Sequence, residues 1–364
     1  MRKLARVVRV AHLEDLQGEP AGQFASLEGV GWQVVVPPGR LRAGDRAVYF
    51  EIDAALPLAD ERFRRLAATA PDDWPCADGF LLIRSMRRCG RLSQGALLPL
   101  SEFPEFMDRP CGADVTAELG VVLPPRREVS GAQPARGEFP GFVPRTDEER
   151  IQNRPDLFRT MRRRFFEVTE KLDGTSMTVF YSRLFQSGSP FRVCSRNRDL
   201  RATEESPYWQ VARKYDLAAK LRTWGRELAF QGELVGPGIN GNRGGRTELA
   251  WHVFRIWDIA RACFLETTER RALCRRLGIP HVPVVDAACP LFDRYPTLAT
   301  LLAHVDGLGS TGRAREGLVF KEAGTTCPVS FKAVGNGYLL SCRQVRGVTP
   351  VSRRNCVAKC CEEG

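Results

Sequence analysis

Lys171 is the first residue in this sequence that invites a chemical reading. The chain has 7 lysines against 47 arginines, so a position that needs only positive charge is filled by arginine. Arginine keeps its proton in a protein, whereas a lysine that is desolvated or set beside another cation can present a free amine and act as a nucleophile. Lys171 lies in Glu170-Lys171-Leu172-Asp173-Gly174, where the run FEVTEK ends in an Asp-Gly turn. A strand end of this kind holds an amine rigidly at the rim of a cleft.

Further stretches downstream share this character. CSRNRDL places Arg196 just after a strand, and FQGELVGPGI places Glu233 at a strand end before a Gly-Pro-Gly loop. HVFRIWDI carries Phe254 and Trp257, REGLVFK opens on Glu316 and closes on Lys321, and SFKAVGNGYLL sets Lys332 on a last strand. One reaction uses all of them. A lysine attacking the α-phosphorus of a nucleotide needs cations for the phosphates, carboxylates for Mg²⁺ and an aromatic plane for the base. Lys332, Lys321 and Arg196 supply the first, Glu233 and Glu316 the second, and Phe254 or Trp257 the third. Lys332 would also disfavour the protonated form of a neighbouring amine. Taken singly, Glu233, Glu316 and Arg196 could be ordinary surface charges; their joint order carries the reading. His12, His252, His281 and His304 have no mutual spacing that suggests metal binding or catalysis, and are expected to be structural.

The elements that must position these residues fall into two groups. Alternating runs at 4–10, 31–36, 46–52, 79–84 and 95–100 predict a small β-barrel, and a period-free stretch at 124–145, dense in Pro, Gly and Arg, predicts a linker. Strands are expected near 165–170, 176–182, 191–195, 228–235, 251–259, 316–321 and 329–332. Helices are expected near 206–223, 266–277 and 294–304. Strand follows strand without a βαβ rhythm, so the class is α+β. The expected division is a module over 1–123, a linker over 124–145, a catalytic domain over 146–345 and a polar tail over 346–364.

Bulk properties narrow the function. Residues 1–123 carry 15 basic and 17 acidic side chains, a net −2, which leaves +13 of the total +11 for the remainder. An anionic polymer is a natural partner for the second part. Arginines at 2, 6 and 9 interrupt any N-terminal apolar run, and no 18-residue uncharged apolar stretch occurs, so neither a signal peptide nor a membrane span is expected. The 12 cysteines lack Cys-x-x-Cys spacing, and the cluster Cys356, Cys360 and Cys361 has no neighbouring histidine. Free thiols in a reducing cytoplasm are expected.

In order and content the motifs EKLDG, SRN, GELVG, FRIWDI, EGLVFK and SFK resemble those of the covalent nucleotidyltransferases, the polynucleotide ligases and mRNA capping enzymes. With GWQVVVPPGRLRAGDRAVYFEIDAALP, RLSQGALLPL and RTDEERIQN, the chain is most similar to the ATP-dependent RNA ligases of the Deinococcus type. The resemblance implies an N-terminal OB-like β-barrel followed by an antiparallel-sheet nucleotidyltransferase (ATP-grasp-like ligase) domain. It implies that Lys171 is adenylated, that Glu233 contacts the ribose, that Glu316 acts in metal binding, and that Lys332 meets the α-phosphate. Phe254 would stack on adenine, with Trp257 the alternative, and Glu170, Arg196 and Lys321 would complete the nucleotide site. Many ligases carry two lysines separated by one residue in the last motif, whereas here Ser330 precedes Phe331 and Lys332.

The function so implied is ATP-dependent joining of 3′-hydroxyl and 5′-phosphate RNA ends, in RNA or an RNA-containing nicked duplex. The reaction runs through lysyl-AMP and an adenylated 5′ end, with Mg²⁺ or Mn²⁺, in nucleic-acid repair. No membrane and no obligate protein partner are expected. A capping guanylyltransferase and a DNA ligase usually carry the OB module downstream, and only about 30 residues follow Lys332, too few for one. The remaining alternative is a catalytically degenerate OB-fold nucleic-acid binder.

Overall fold

The structure is a computed structural model that describes residues 2–16, 22–71, 74–88, 91–124, 133–183 and 189–341. The described chain is mixed α+β with mostly antiparallel sheets. Its described residues form two compact units: those up to 124 with 151–157 and 339–341, and 133–150 with those of 158–338.

The first unit is organised by a five-stranded antiparallel sheet in the spatial order Ala96–Pro99, Arg46–Phe50, Ala5–Asp15, Gln23–Leu27, Gln33–Val36. Because side chains alternate along a strand, this sheet buries both faces. Ala5, Val7, Val48, Phe50 and Leu98 enter one core. Val8, Val10, Ala25, Val34, Tyr49 and Leu97 enter the other. Gly95 has φ +127°, and a Cβ there would collide with the Tyr49 ring. The hydroxyl of Tyr49 donates to the carbonyl of Gln94 at 2.9 Å. Glu51 is fully buried, and its charge is met by Arg2 (2.8 Å), Arg6 (3.2 Å) and the Asn153 amide (3.2 Å). Asn153 in turn accepts from the Trp32 indole at 2.7 Å. The short segment 151–157 is thereby part of the first unit's polar core.

The second unit contains two sheets. One has seven strands in the order Ala135–Glu138, Arg198–Leu200, Phe191–Cys194, Thr175–Tyr181, Leu228–Val235, Ala250–Asp258, Cys263–Phe264. The other has five, Glu149–Arg150, Ser330–Val334, Gly317–Glu322, Phe166–Lys171, Val284–Cys289, and only its first pair is parallel. Met177, Val179, Leu234, Trp251 and Val253 face a helical layer and form this unit's main apolar core. The opposite face carries Ser176, Thr178, Gln231, Glu233 and His252 and is polar.

Several expectations need correction. The predicted helix over 206–223 is two helices, Pro207–Lys214 and Leu217–Trp224, broken where Asp216 adopts a left-handed φ of 50°. The break resets the phase so that Val211 and Ala212, then Leu217 and Leu221, reach one core. The helix expected at 294–304 begins later, at Leu298, with Thr297 as its N-cap in a capping box with Thr300. Within the stretch predicted to be a linker, Ala135–Glu138 is an edge strand paired with Arg198–Leu200. Residues 125–132 of that stretch, the Cys356, Cys360 and Cys361 cluster, and the tail from 346 onward lie outside the described residues. Among the described residues, no helix is long and apolar enough to cross a membrane, and seven cysteines are free.

Candidate active site

The register of the five-stranded sheet sets the cations in rows. Lys171 stands opposite Gly317, Thr169 opposite Val319, and Glu167 opposite Lys321; Val319 and Lys321 in turn face Lys332 and Ser330. Residues two apart on a strand share a face. Lys171, Lys332 and Lys321 therefore project from the same side, each one row further from the strand end. This is a physical basis for the spacing of the EKLDG, EGLVFK and SFK segments.

The Nζ of Lys171 donates to Oε2 of Glu316 at 2.7 Å, and both side chains are partly buried. Two glycines make this meeting possible. A Cβ at Gly317 would collide with the carbonyl of Ala333, and one at Gly174 with the carbonyl of Leu234 and, at 2.7 Å, with Val235. The Asp-Gly turn is thus pressed onto the strand that ends at Val235, and the same virtual Cβ lies 3.0 Å from Cγ of Glu233. Glu233 is thereby brought beside the Asp-Gly turn that follows Lys171.

Asp173 has a task not foreseen from the sequence. Its carboxylate accepts from the amide of Asn240, from Arg243 at 3.3 Å and from the Tyr338 hydroxyl at 2.7 Å. Tyr338 also accepts from Arg243 at 2.7 Å. The turn after Lys171 is therefore held by the loop that follows the Glu233 strand and by the short helix that follows the Lys332 strand. Glu170 differs from expectation. Its side chain points to the face opposite Lys171, where its carboxylate accepts the Ser310 backbone N–H at 2.9 Å. It anchors the loop that leads into Glu316.

The aromatic candidates separate. In the pairing of Leu228–Val235 with Ala250–Asp258, Gln231 faces Arg255 and Gly232 faces Val253, which leaves Phe254 as the extra residue of a β-bulge. Phe254 packs with Leu172, Val235, Val282 and Ala250, and the Lys321 amine lies 5.9 Å from its ring centroid. Trp257 donates its indole N–H to the carbonyl of Phe142 at 3.1 Å and meets Phe264 edge-on at 4.9 Å. It packs with Phe139, Val143 and Phe180, away from the lysine row.

Lys321 is 2% exposed. Burial, then the nearby Arg270, push its amine down to about 7, against the opposing pull of Glu148. Arg255 bonds to Ser330 Oγ, the position that departs from the two-lysine pattern, and pairs with Glu148 at 3.1 Å. Arg196 pairs with Asp147 and lines a separate small recess with Arg145, Ser176, Thr178 and Gln231. His281 is held neutral, pushed down to about 3 by burial beside Arg270, which fits a structural role. Among the described residues, no three His, Cys, Asp or Glu side chains converge as a protein-only metal cage. Glu316 and Glu233 offer carboxylate oxygens of the kind that share a divalent cation with substrate phosphates and water.

The RNA ligase family model matches residues 164–334, and an OB-fold domain model matches 4–100. No curated protein sequence matches. A variant of the Naegleria gruberi RNA ligase solved with ATP and manganese is 34% identical, covers 93% of this chain and 99% of its own, and superposes with a TM-score of 0.83. Another variant of it, solved with AMP and manganese, is also 34% identical, with 93% and 99% coverage and a TM-score of 0.82. The same ligase with pyrophosphate is 35% identical, with 94% and 99% coverage and a TM-score of 0.82. With one-third identity across nearly its full length, and with the Lys-x-Asp-Gly lysine held on a glutamate of the EGLVFK segment, the chain belongs to the RNA ligase family.

Proposed function

We infer that the protein is an ATP-dependent RNA ligase of the Deinococcus type that seals 3′-hydroxyl and 5′-phosphate ends in nucleic-acid repair. The observation that carries the reading is the Lys171–Glu316 pair at 2.7 Å at the head of a one-sided lysine row. Lys171 is the nucleophile at the α-phosphorus of ATP. Lys332, one row in, offsets the charge that gathers on the α-phosphate during each in-line displacement. Phe254 stacks on adenine, Glu233 holds the ribose, and Lys321 lies beneath the base and its phosphates. Arg196, in the recess lined by Ser176, Thr178 and Gln231 on the polar sheet face that also carries Glu233, is assigned to a nucleotide phosphate.

Glu316 and Glu233 would hold Mg²⁺ or Mn²⁺, which when bound neutralises phosphate charge. ATP and manganese accompany the Naegleria ligase in one solved structure, and pyrophosphate, the group released when a lysine captures AMP from ATP, in another. Residues 1–123, with 151–157 packed into their core, act as the OB-like nucleic-acid module, the unit formed by the described residues of 127–150 and 158–338 acts as the adenylyltransferase, and 346–364 are a polar tail by composition. With a net −2 against +13 for the rest, that module orients strand ends by stacking and hydrogen bonds rather than by bulk attraction. Substrates are RNA or an RNA-containing nicked duplex. The free cysteines suit a reducing cytoplasm.

The test is to incubate the protein separately with α-labelled ATP, GTP and NAD⁺ plus Mg²⁺ or Mn²⁺ and to follow acid-stable label on protein. Label from ATP, chased into a 5′-phosphorylated RNA and then into sealed product, is the expected result. Label from GTP alone would move the assignment to a capping-type transferase, and label from none would remove the lysyl-nucleotide mechanism.

A further inference from the structure

Beside the Lys171–Glu316 pair lies a cleft whose outer lip is made by two glycine-rich loops, 240–246 (NGNRGGR) and 309–315 (GSTGRAR). Its acidic residues are all engaged. Glu170 accepts the Ser310 N–H, Asp173 is clasped by Asn240, Arg243 and Tyr338, and Glu316 holds Lys171. Two of its four arginines are also committed. Arg243 serves Asp173, and Arg315 donates to the carbonyls of Val305 and His304 at 2.7 and 2.6 Å.

Arg246 and Arg313 differ. Among the described contacts neither pairs with a carboxylate, yet Arg313 is not loose. Its guanidinium lies against Gly245, where φ is +63° and a Cβ would overlap it, and it donates to the carbonyl of Arg243 at 3.4 Å. The glycine is the seat that lets one loop's arginine lie across the other loop. The cleft beside the Lys171–Glu316 pair is thus lined by two arginines from different loops, half-buried Arg246 and exposed Arg313.

We propose that Arg246 and Arg313 form a phosphate clamp for the 5′-terminal phosphate of the RNA strand that receives AMP. The proposal deepens the ligase reading and rests on it. In the second transfer an oxygen of that phosphate bonds to the α-phosphorus of AMP. The bond from phosphorus to the Lys171 nitrogen breaks, and its electron pair stays on nitrogen, which takes up a proton. The terminal phosphate must therefore be held on the solvent-open side, in line with Lys171. A terminal monoester carries more charge and more free oxygens than a backbone diester, and paired guanidinium forks match those oxygens. Arg313 is exposed, so the lip can be reached by a polymer end. The same chemistry would suit the pyrophosphate end of ATP, and the experiment separates the two sources.

The experiment compares wild type with Arg246→Ala, Arg313→Ala, the double variant and the Arg246→Lys/Arg313→Lys variant, each with unchanged thermal unfolding. Three measurements are made: Lys171 labelling by ATP with its KM, AMP transfer to RNA, and binding of matched 5′-phosphate and 5′-hydroxyl RNAs. The clamp requires labelling and its KM to stay within about twofold, transfer to fall by about tenfold or more in the double variant, and the binding preference for 5′-phosphate to disappear. The lysine variant should recover part of both. A raised KM for ATP with labelling lost would assign the arginines to pyrophosphate and overturn the proposal. Equal weakening of 5′-phosphate and 5′-hydroxyl RNA would reduce them to general backbone attraction and overturn it as well. Absence of label on the wild-type protein would instead overturn the ligase reading beneath.

Discussion

Lys171 and Glu316 are joined at 2.7 Å across 145 positions of sequence. The pairing satisfies a partly buried ammonium and holds Lys171 at the strand end; as the proposed nucleophile, its amine must leave that carboxylate to attack. Lys171→Ala and Lys171→Arg should both reduce protein adenylation by at least about a thousandfold, because arginine preserves the pair and the charge but cannot supply a free amine. The alanine variant should still seal RNA that already bears a 5′-adenylate, since that last step does not use the amine. Glu316→Ala should depress adenylation by about a hundredfold and Glu233→Ala by about tenfold, both at saturating divalent metal. A labelled arginine variant would show that the nucleophile is another residue.

Phe254 and Trp257 are three residues apart; Phe254 sits in the bulge and packs with Leu172, Val235 and Val282, whereas Trp257 packs with Phe139, Val143 and Phe180. Phe254→Ala should raise KM for ATP by about tenfold with little change in thermal unfolding, because base stacking on an aromatic contributes about 1–3 kcal/mol. Trp257→Ala should do the reverse, since it removes the indole bond to Phe142 and the edge contact with Phe264; a loss of about 3 kcal/mol of stability is expected. Calorimetric unfolding with steady-state adenylation reads both, and an exchange of the two phenotypes would put the base on the tryptophan.

Tyr338→Phe deletes one of the three donors to Asp173 and leaves the ring in place. A hydrogen bond to a carboxylate contributes about 1.5–3 kcal/mol when buried, so the turn that carries Lys171 should loosen. The expected result is a fall of about tenfold in kcat for adenylation with KM for ATP little changed. Asp173→Asn, which weakens all three bonds, should fall further. Wild-type kcat in both variants would show that the clasp has no bearing on the nucleophile.

The collinear lysine and glutamate motifs were legible in the sequence because each lies on or beside a strand whose pattern or flanking turn is visible. Strand pairing then turns their spacing into the rows of Lys171, Lys332 and Lys321. What could not be read depends on contacts between distant residues. The Asp173 clasp joins residues 173, 240, 243 and 338, and no local period announces it. The strand Val284–Cys289 pairs with the nucleophile strand yet is largely exposed, so it lacks the apolar alternation that betrays a strand. Ala135–Glu138 was masked in the same way by its composition, and as an edge strand it needs no buried face. Phe254 and Trp257 could not be told apart from sequence because Phe254 is itself the extra residue of a bulge, and no sequence rule fixes the place of a bulge. Glu170 is next to Lys171 in sequence yet its side chain lies on the opposite face of the strand, and no local pattern announces its bond to the Ser310 N–H.

Lys321 provides a prediction in pH. Burial and then Arg270 lower its amine to about 7, whereas the ordinary lysine value of 10.5 describes the unfolded chain. Between these values the unfolded chain holds a proton that the folded chain lacks, so folding becomes more favourable as pH rises through this window. Below about 7 both states are charged and the cost of the buried ammonium is felt in full. Lys321→Met keeps the stem and removes the charge. The wild type should therefore gain in Tm relative to this variant as pH goes from about 7 to about 9.5, with the two curves parallel below about 6. ATP binding should respond in the opposite sense, because bound phosphate favours the charged amine, so affinity for ATP should decline as pH rises through about 7 in the wild type and not in Lys321→Met. Parallel unfolding curves across the whole range would mean that Lys321 stays charged in the folded protein, and a shared pH profile for ATP would take it out of the nucleotide site.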